Sequence, residues 1–118
     1  MYVVIFEVYP TGSGREDYLA VAAKLRELVK DRPGFISIER FQSLTDQDKV
    51  LSLSFWEDED AIASWRNLVE HRLAQRRGRD EWFSRYRIRV ARVVRDYTET
   101  ERDQAPPDSN AEWVEPHA

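Results

Sequence analysis

Two side chains in this sequence could move a proton and hold an aromatic ring close together. They are His71, the only histidine outside the C-terminal tail, and Trp65, six residues before it. Imidazole changes charge near neutral pH, so the place of a domain's one internal histidine limits the proton transfers open to it. Six residues amount to roughly 600° of helix, so the pair can share a site only if the helix breaks near Asn67-Leu68. Without such a break, Trp65 packs the helix against a sheet and His71 sits at the surface. Arg72, Gln75, Arg76 and Arg79 follow as a polar face from which one arginine can orient an acidic ligand group. Phe55, at the end of the strand leading into this helix, is the second aromatic candidate for substrate contact.

Other chemistries lack their residues. No cysteine is present, which removes disulfides, thiolate nucleophiles, thiolate-held zinc and iron-sulfur clusters. One internal histidine and no H-x-x-x-H spacing leave a protein-built zinc or non-haem iron centre short of ligands. Haem stays open, because the porphyrin brings four nitrogens and one axial histidine can complete the iron. The step Gly12-Ser13-Gly14 lacks the third glycine and the lysine of a phosphate cradle, which argues against nucleotide chemistry.

At 118 residues and 42% hydrophobic content the chain suits one core. The net charge of -4 is uneven: residues 98–118 carry six acids against Arg102, which leaves residues 1–97 at about +1. Such a body has no electrostatic reason to bind nucleic acid or anionic lipid. No apolar run reaches the roughly 18 residues of a membrane span, and no basic lead precedes Tyr2-Val3-Val4-Ile5-Phe6, so a soluble cytoplasmic protein is expected.

Residues 2–9 read as a strand, and Pro10 to Gly14 as a turn. Tyr18, Val21, Ala22, Leu25, Leu28 and Val29 recur at helical spacing between Arg15 and Lys30, with Ser13 as N-cap and Pro33-Gly34 as the stop. Phe35 to Phe41 and Val50 to Trp56 pair as a hairpin across a polar loop. A second helix spans Glu59 to Arg77, Gly78 ends it, Asp80 to Phe83 turn, and Arg85 to Tyr97 forms a long last strand with a bulge. The order β-α-β-β-α-β predicts an α+β, ferredoxin-like fold: a four-stranded antiparallel sheet with both helices on one face. The bare face calls for a second subunit, so a homodimer closed as an α/β barrel is expected. Ser37, Glu39, Ser52, Ser54, Arg87 and Arg89 alternate with apolar residues, and Glu39 is expected to pair with Arg40, Arg87 or Arg89. Domain 1–97 is followed by an acidic, proline-containing extension, 98–118, in which Trp113 and His117 have no assigned task.

Pro33-Gly34-Phe35, Leu51 to Trp56 with its acidic turn, Ala61-Ile62-Ala63-Ser64-Trp65, His71-Arg72-Leu73-Ala74-Gln75 and Tyr86-Arg87-Ile88-Arg89-Val90 together resemble the antibiotic biosynthesis monooxygenase domain family, over about residues 1–97. The family includes cofactor-free oxygenases of anthrones and quinols, quinol monooxygenases and haem-degrading oxygenases. The haem-degrading branch is marked by an asparagine late in the first strand, the helix tryptophan, and an iron-binding histidine ten residues beyond. This chain has Glu7, Trp65 and Gln75 at those places, so only the tryptophan matches, and His71 stands one turn earlier. What the resemblance implies is an oxygenase that uses no cofactor and oxidises a small aromatic or quinol-like substrate with O2. His71 would serve as base, Trp65 would hold the rings, and Phe55, Arg72, Gln75 and Glu7 would line the site. A non-catalytic, metabolite-binding dimer is the rival reading.

Overall fold

In the computed structural model, residues 1–12, 14–76 and 83–112 are described, with the backbone course alone for 71–76 and Phe83. Five β-branched or aromatic residues in a row set an extended course, and β1 (Tyr2–Pro10) results. Thr11 then turns the chain: its Oγ1 and its carbonyl accept from Gly14 N–H at 2.9 and 3.1 Å. Gly14 occupies the N-cap of α1 (Arg15–Val29) without a side-chain cap, and the expected cap Ser13 lies outside the described residues. Glu16 and Asp17 in the first turn and Arg26 in the last complement the helix dipole. Tyr18, Val21, Ala22 and Val29 are buried, while Leu28, expected on the same stripe, is exposed.

The hairpin β2 (Phe35–Gln42) and β3 (Val50–Trp56) forms as expected, with a register irregularity between Phe35 and Ser37 that turns Ile36 outward. Its loop closes on Gln42, whose Nε2 lies 3.0 Å from the carbonyls of Gln47 and Lys49 and whose Oε1 accepts from Arg15 on α1. Asp58 caps α2 (Glu59–Arg76), its Oδ1 accepting from Ala61 N–H at 2.8 Å. β4 (Phe83–Arg92) pairs with β1, with a register shift at Tyr9/Pro10, and ends five residues before the expected limit at Tyr97. A short helix, α3 (Pro107–Glu112), stands within the acidic extension.

The sheet order is β2-β3-β1-β4, all neighbours antiparallel, which is the ferredoxin-like topology. Strand alternation divides the side chains. Tyr2, Val4, Phe6 and Val8 share the helix side with Trp56, Ser54, Ser52 and Val50, and Val8, Val50, Tyr18 and Val21 make the core. Val3, Ile5, Glu7, Leu51, Leu53 and Phe55 share the other side, where neither helix lies. Among the described residues no helix is long and apolar enough to cross a membrane.

One glycine governs how closely α2 approaches the sheet. Gly34 has φ +79°, its carbonyl accepts from Glu57 N–H at 2.8 Å, and a Cβ there would lie 2.7 Å from Ala61 Cβ. Gly34→Ala therefore combines a left-handed backbone with an overlap, and we expect a loss of about 2 kcal/mol or more in chemical unfolding. Adding Ala61→Gly should recover part of that loss, and an unchanged denaturation midpoint for Gly34→Ala alone would refute the packing argument.

Candidate active site

Trp56 closes β3 and is almost wholly buried at 1% exposure. Its indole Nε1–H donates to Ser54 Oγ at 2.9 Å, so a bulky amphipathic ring is buried with its one polar group satisfied. Phe35 meets it edge to face, with centroids 5.4 Å apart, and Trp65 lies over it at 6.4 Å with 33° between the planes. Three features hold Trp65 there. α2 starts within three residues of Trp56 under the Asp58 cap, Gly34 admits its first turn, and the Arg32 guanidinium donates to Ser64 Oγ. Trp65 is half-buried: one part rests on Trp56 and the rest remains open to a ligand.

The connection from β3 to β4 has to cross above β1, because β1 lies between those strands in the sheet, and α2 is that connection. Beneath this path lies an apolar floor. Phe6 and Tyr86 meet edge to face at 5.8 Å, and Val4 pairs with Val90 and Phe6 with Ile88. Although they lie on the helix side, Tyr86, Ile88 and Val90 keep 42%, 52% and 48% of their surface exposed. Exposed apolar residues on the helix side of the sheet, together with the half-buried Trp65 of α2, are surfaces that a flat hydrophobic molecule can use. The alternation of Tyr86, Ile88 and Val90 with arginines was visible in the sequence, but their partnership with Phe6 needs the sheet order.

The other site candidates separate. Phe55 follows Ser54 and precedes Trp56, so it points away from Trp65, to the opposite face of the sheet; Trp56 is the aromatic that meets Trp65. Glu7 lies on that same far face, with its Oε1 3.5 Å from both Lys49 Nζ and Arg89 Nη1. Both are thereby removed from a pocket between helix and sheet, for the same reason of strand alternation. α2 runs unbroken through Asn67-Leu68, so Trp65 and His71 stay about 120° apart around it. The side chains of His71, Arg72 and Gln75, together with Gly78, residues 80–82 of the expected 80–83 turn, Trp113 and His117, lie outside the described residues, and Phe83, expected in that turn, begins β4 instead.

Of the strand polar residues, Ser52 and Ser54 are buried, whereas Ser37, Glu39, Arg87 and Arg89 are exposed. Glu39 on β2 and the arginines of β4 stand at opposite edges of the sheet, and Arg40, next to Glu39 in β2, lies on the other face, so among the described residues the expected pairing does not form; Glu7, on the strand next to β4, takes Arg89 instead. A haem set resembling that of the haem-degrading branch does not fit, since Glu7 is engaged on the wrong face and an amide such as Gln75 is a poor axial ligand. Among the described residues no group of three His, Asp or Glu is placed to hold a metal ion.

This strand order, with both helices on one face, places the chain among ferredoxin-like α+β domains. Residues 1–77 match the family model described as antibiotic biosynthesis monooxygenase, and the chain belongs to that family. It is 40% identical over 94 residues to jasmonate monooxygenase ABM of Pyricularia oryzae, covering 80% of this chain and 44% of that protein. It is 35% identical over 95 residues to the uncharacterized protein YqjZ of Bacillus subtilis, covering 80% of each. The chain thus spans less than half of the Pyricularia relative. Among solved structures, Rv0793 of Mycobacterium tuberculosis superposes with a TM-score of 0.70 at 16% identity, over 82% of this chain and 98% of that one. SnoaB, a cofactor-independent oxygenase from Streptomyces nogalater, gives 0.63 at 14% identity, over 80% and 94%. These two likenesses establish the shared fold.

Proposed function

We propose that the protein is a cofactor-independent monooxygenase of a small, flat, aromatic or quinol-like molecule, working as a homodimer. The observation that carries this reading is the half-buried Trp65 on α2, resting on Trp56, on the same side of the sheet as Ile88 and Val90, which keep about half of their surface exposed. Family membership and a relative named as a monooxygenase support the reaction class. In the reaction, a base removes a proton from an acidic methylene or hydroxyl of the substrate. The resulting anion gives one electron to O2, and the radical and superoxide combine to a peroxide. Loss of water then leaves one oxygen on the product, so that a ring-flanked CH2 plus O2 becomes a carbonyl plus H2O. His71 is the base of this proposal, acting on an edge of the substrate away from Trp65, because the unbroken α2 keeps the two side chains about 120° apart and they form no compact pair. Trp65 and the floor hold the rings and exclude water, so that the anion is formed where O2 can meet it and solvent cannot quench it.

A second copy covers the far face, where Val3, Ile5, Leu51, Leu53 and Phe55 would otherwise remain a broad apolar surface. The test is O2 uptake by purified protein with an anthrone, a quinol and, given the relative's printed substrate, jasmonate. We expect turnover of at least one that persists after exhaustive chelation. Loss of turnover on chelation, or saturable binding of haemin near one per chain that disappears in His71→Ala, would overturn the cofactor-free reading.

A further inference from the structure

The segment after β4 is folded, and among the described residues its side-chain hydrogen bonds are its own. Val93 N–H donates to Met1 O at 3.0 Å, and from Asp96 onward the described hydrogen bonds run within residues 96–112. Asp96 N–H donates to the Gln104 side chain, Thr98 Oγ1 accepts from Glu101 N–H at 2.8 Å, and Arg102 donates to Ser109 and Asn110. The Arg102 guanidinium also lies 5.0 Å from the Tyr97 ring centroid. A sphere of this chain length has a radius of gyration of about 13 Å. The observed value is 17.5 Å, with a longest extent of 54 Å. The arm buries Ala105 but leaves Val94 77% exposed and Tyr97 open, apolar surface that a partner would cover.

Charge identifies that surface. Between Asp96 and Glu112 six acids face one base, Arg102. β4 bears Arg85, Arg87 and Arg89 in one exposed column on the sheet face away from the helices, and Glu7 answers only Arg89. Among the described residues no ion pair joins the arm to these arginines in the same chain. The arm leaves from the far end of β4, so reaching Arg85 of its own strand would require it to reverse over the strand it has just left.

We propose that residues 94–112 are an exchanged strap: each arm lies along β4 of a second copy of this chain, its carboxylates against Arg85 and Arg87, with Val94 and Tyr97 as apolar contacts. This rests on the homodimer reading above. The protein has no cysteine, which makes directed cross-linking clean. Chains carrying Asp103→Cys, mixed with size-tagged chains carrying Arg87→Cys and treated with a short thiol cross-linker, should give a band containing both chains. Sedimentation should show the dimer of a chain stopped after Val93, and of the folded E99K/E101K/D103K variant, weakened by about tenfold or more at low salt. The difference should shrink at 1 M salt, where screening acts within about 3 Å. A full chain that is monomeric overturns both the strap and the homodimer. A full chain that is dimeric, with unchanged affinity in both variants or with cross-links only inside one chain, overturns the strap alone.

Discussion

Replacing His71 with alanine should lower kcat/KM for the oxidised substrate by about 10²- to 10⁴-fold, the usual contribution of a positioned general base, while leaving the melting temperature and the dimer intact. On the proposed mechanism the effect should fall on kcat, because the base acts in the chemical step while ring binding is assigned to Trp65. Trp65→Ala makes the complementary case: it should raise KM, since it strips one wall of the pocket. His71 lies on a continuous α2 whose first turns are anchored at Gly34, Ser64 and Trp56, and the unfolding midpoint of the variant separates lost chemistry from lost folding. A His71→Ala protein that turns over substrate at the parent rate would end the assignment of His71 as base.

The largest expected effect on stability is at Trp56. Deleting a wholly buried indole leaves a cavity, and Trp56→Ala should lose about 3–5 kcal/mol in urea unfolding. That is a large share of the roughly 5–15 kcal/mol that holds a domain together. Trp56→Phe keeps most of the packing but orphans the buried Ser54 hydroxyl, and should lose about 1–2 kcal/mol. Because Trp65 rests on Trp56 at 6.4 Å, substrate affinity should fall even in the milder variant. If Trp56→Ala unfolds within about 1 kcal/mol of the parent, the aromatic stack is not what joins α2 to the sheet.

Much of the architecture could be read from spacing alone. The heptad-like recurrence of Tyr18, Val21, Ala22, Leu25 and Val29 marked α1, and the alternating run Val50 to Trp56 marked β3 to the residue. Such local periodicities depend only on the geometry of a single element. The site was less legible. Phe55 and Trp56 are equally aromatic neighbours, and period-two alternation says that they point oppositely without saying which one meets a helix. The family resemblance placed Glu7 near a substrate, at the position of a first-strand asparagine, but its partners Lys49 and Arg89 hold it on the other face. Glu39 seemed able to reach the β4 arginines until the order β2-β3-β1-β4 set them at opposite edges.

By itself, then, the sequence determined the succession of elements, the single-core size, the lack of thiol chemistry and the chain's resemblance to its family. These follow from residue type, local spacing and short motifs. Only the tertiary structure decided which side of each strand faces α2, that Trp56 supports Trp65, that Gly34 lies close against Ala61, and that the acidic segment carries a short helix and a hydrogen-bond network of its own. Those facts depend on strand order, register and contacts between residues distant in the chain. A one-residue change of register inverts every side chain of a strand, and no local pattern records which face another element will cover.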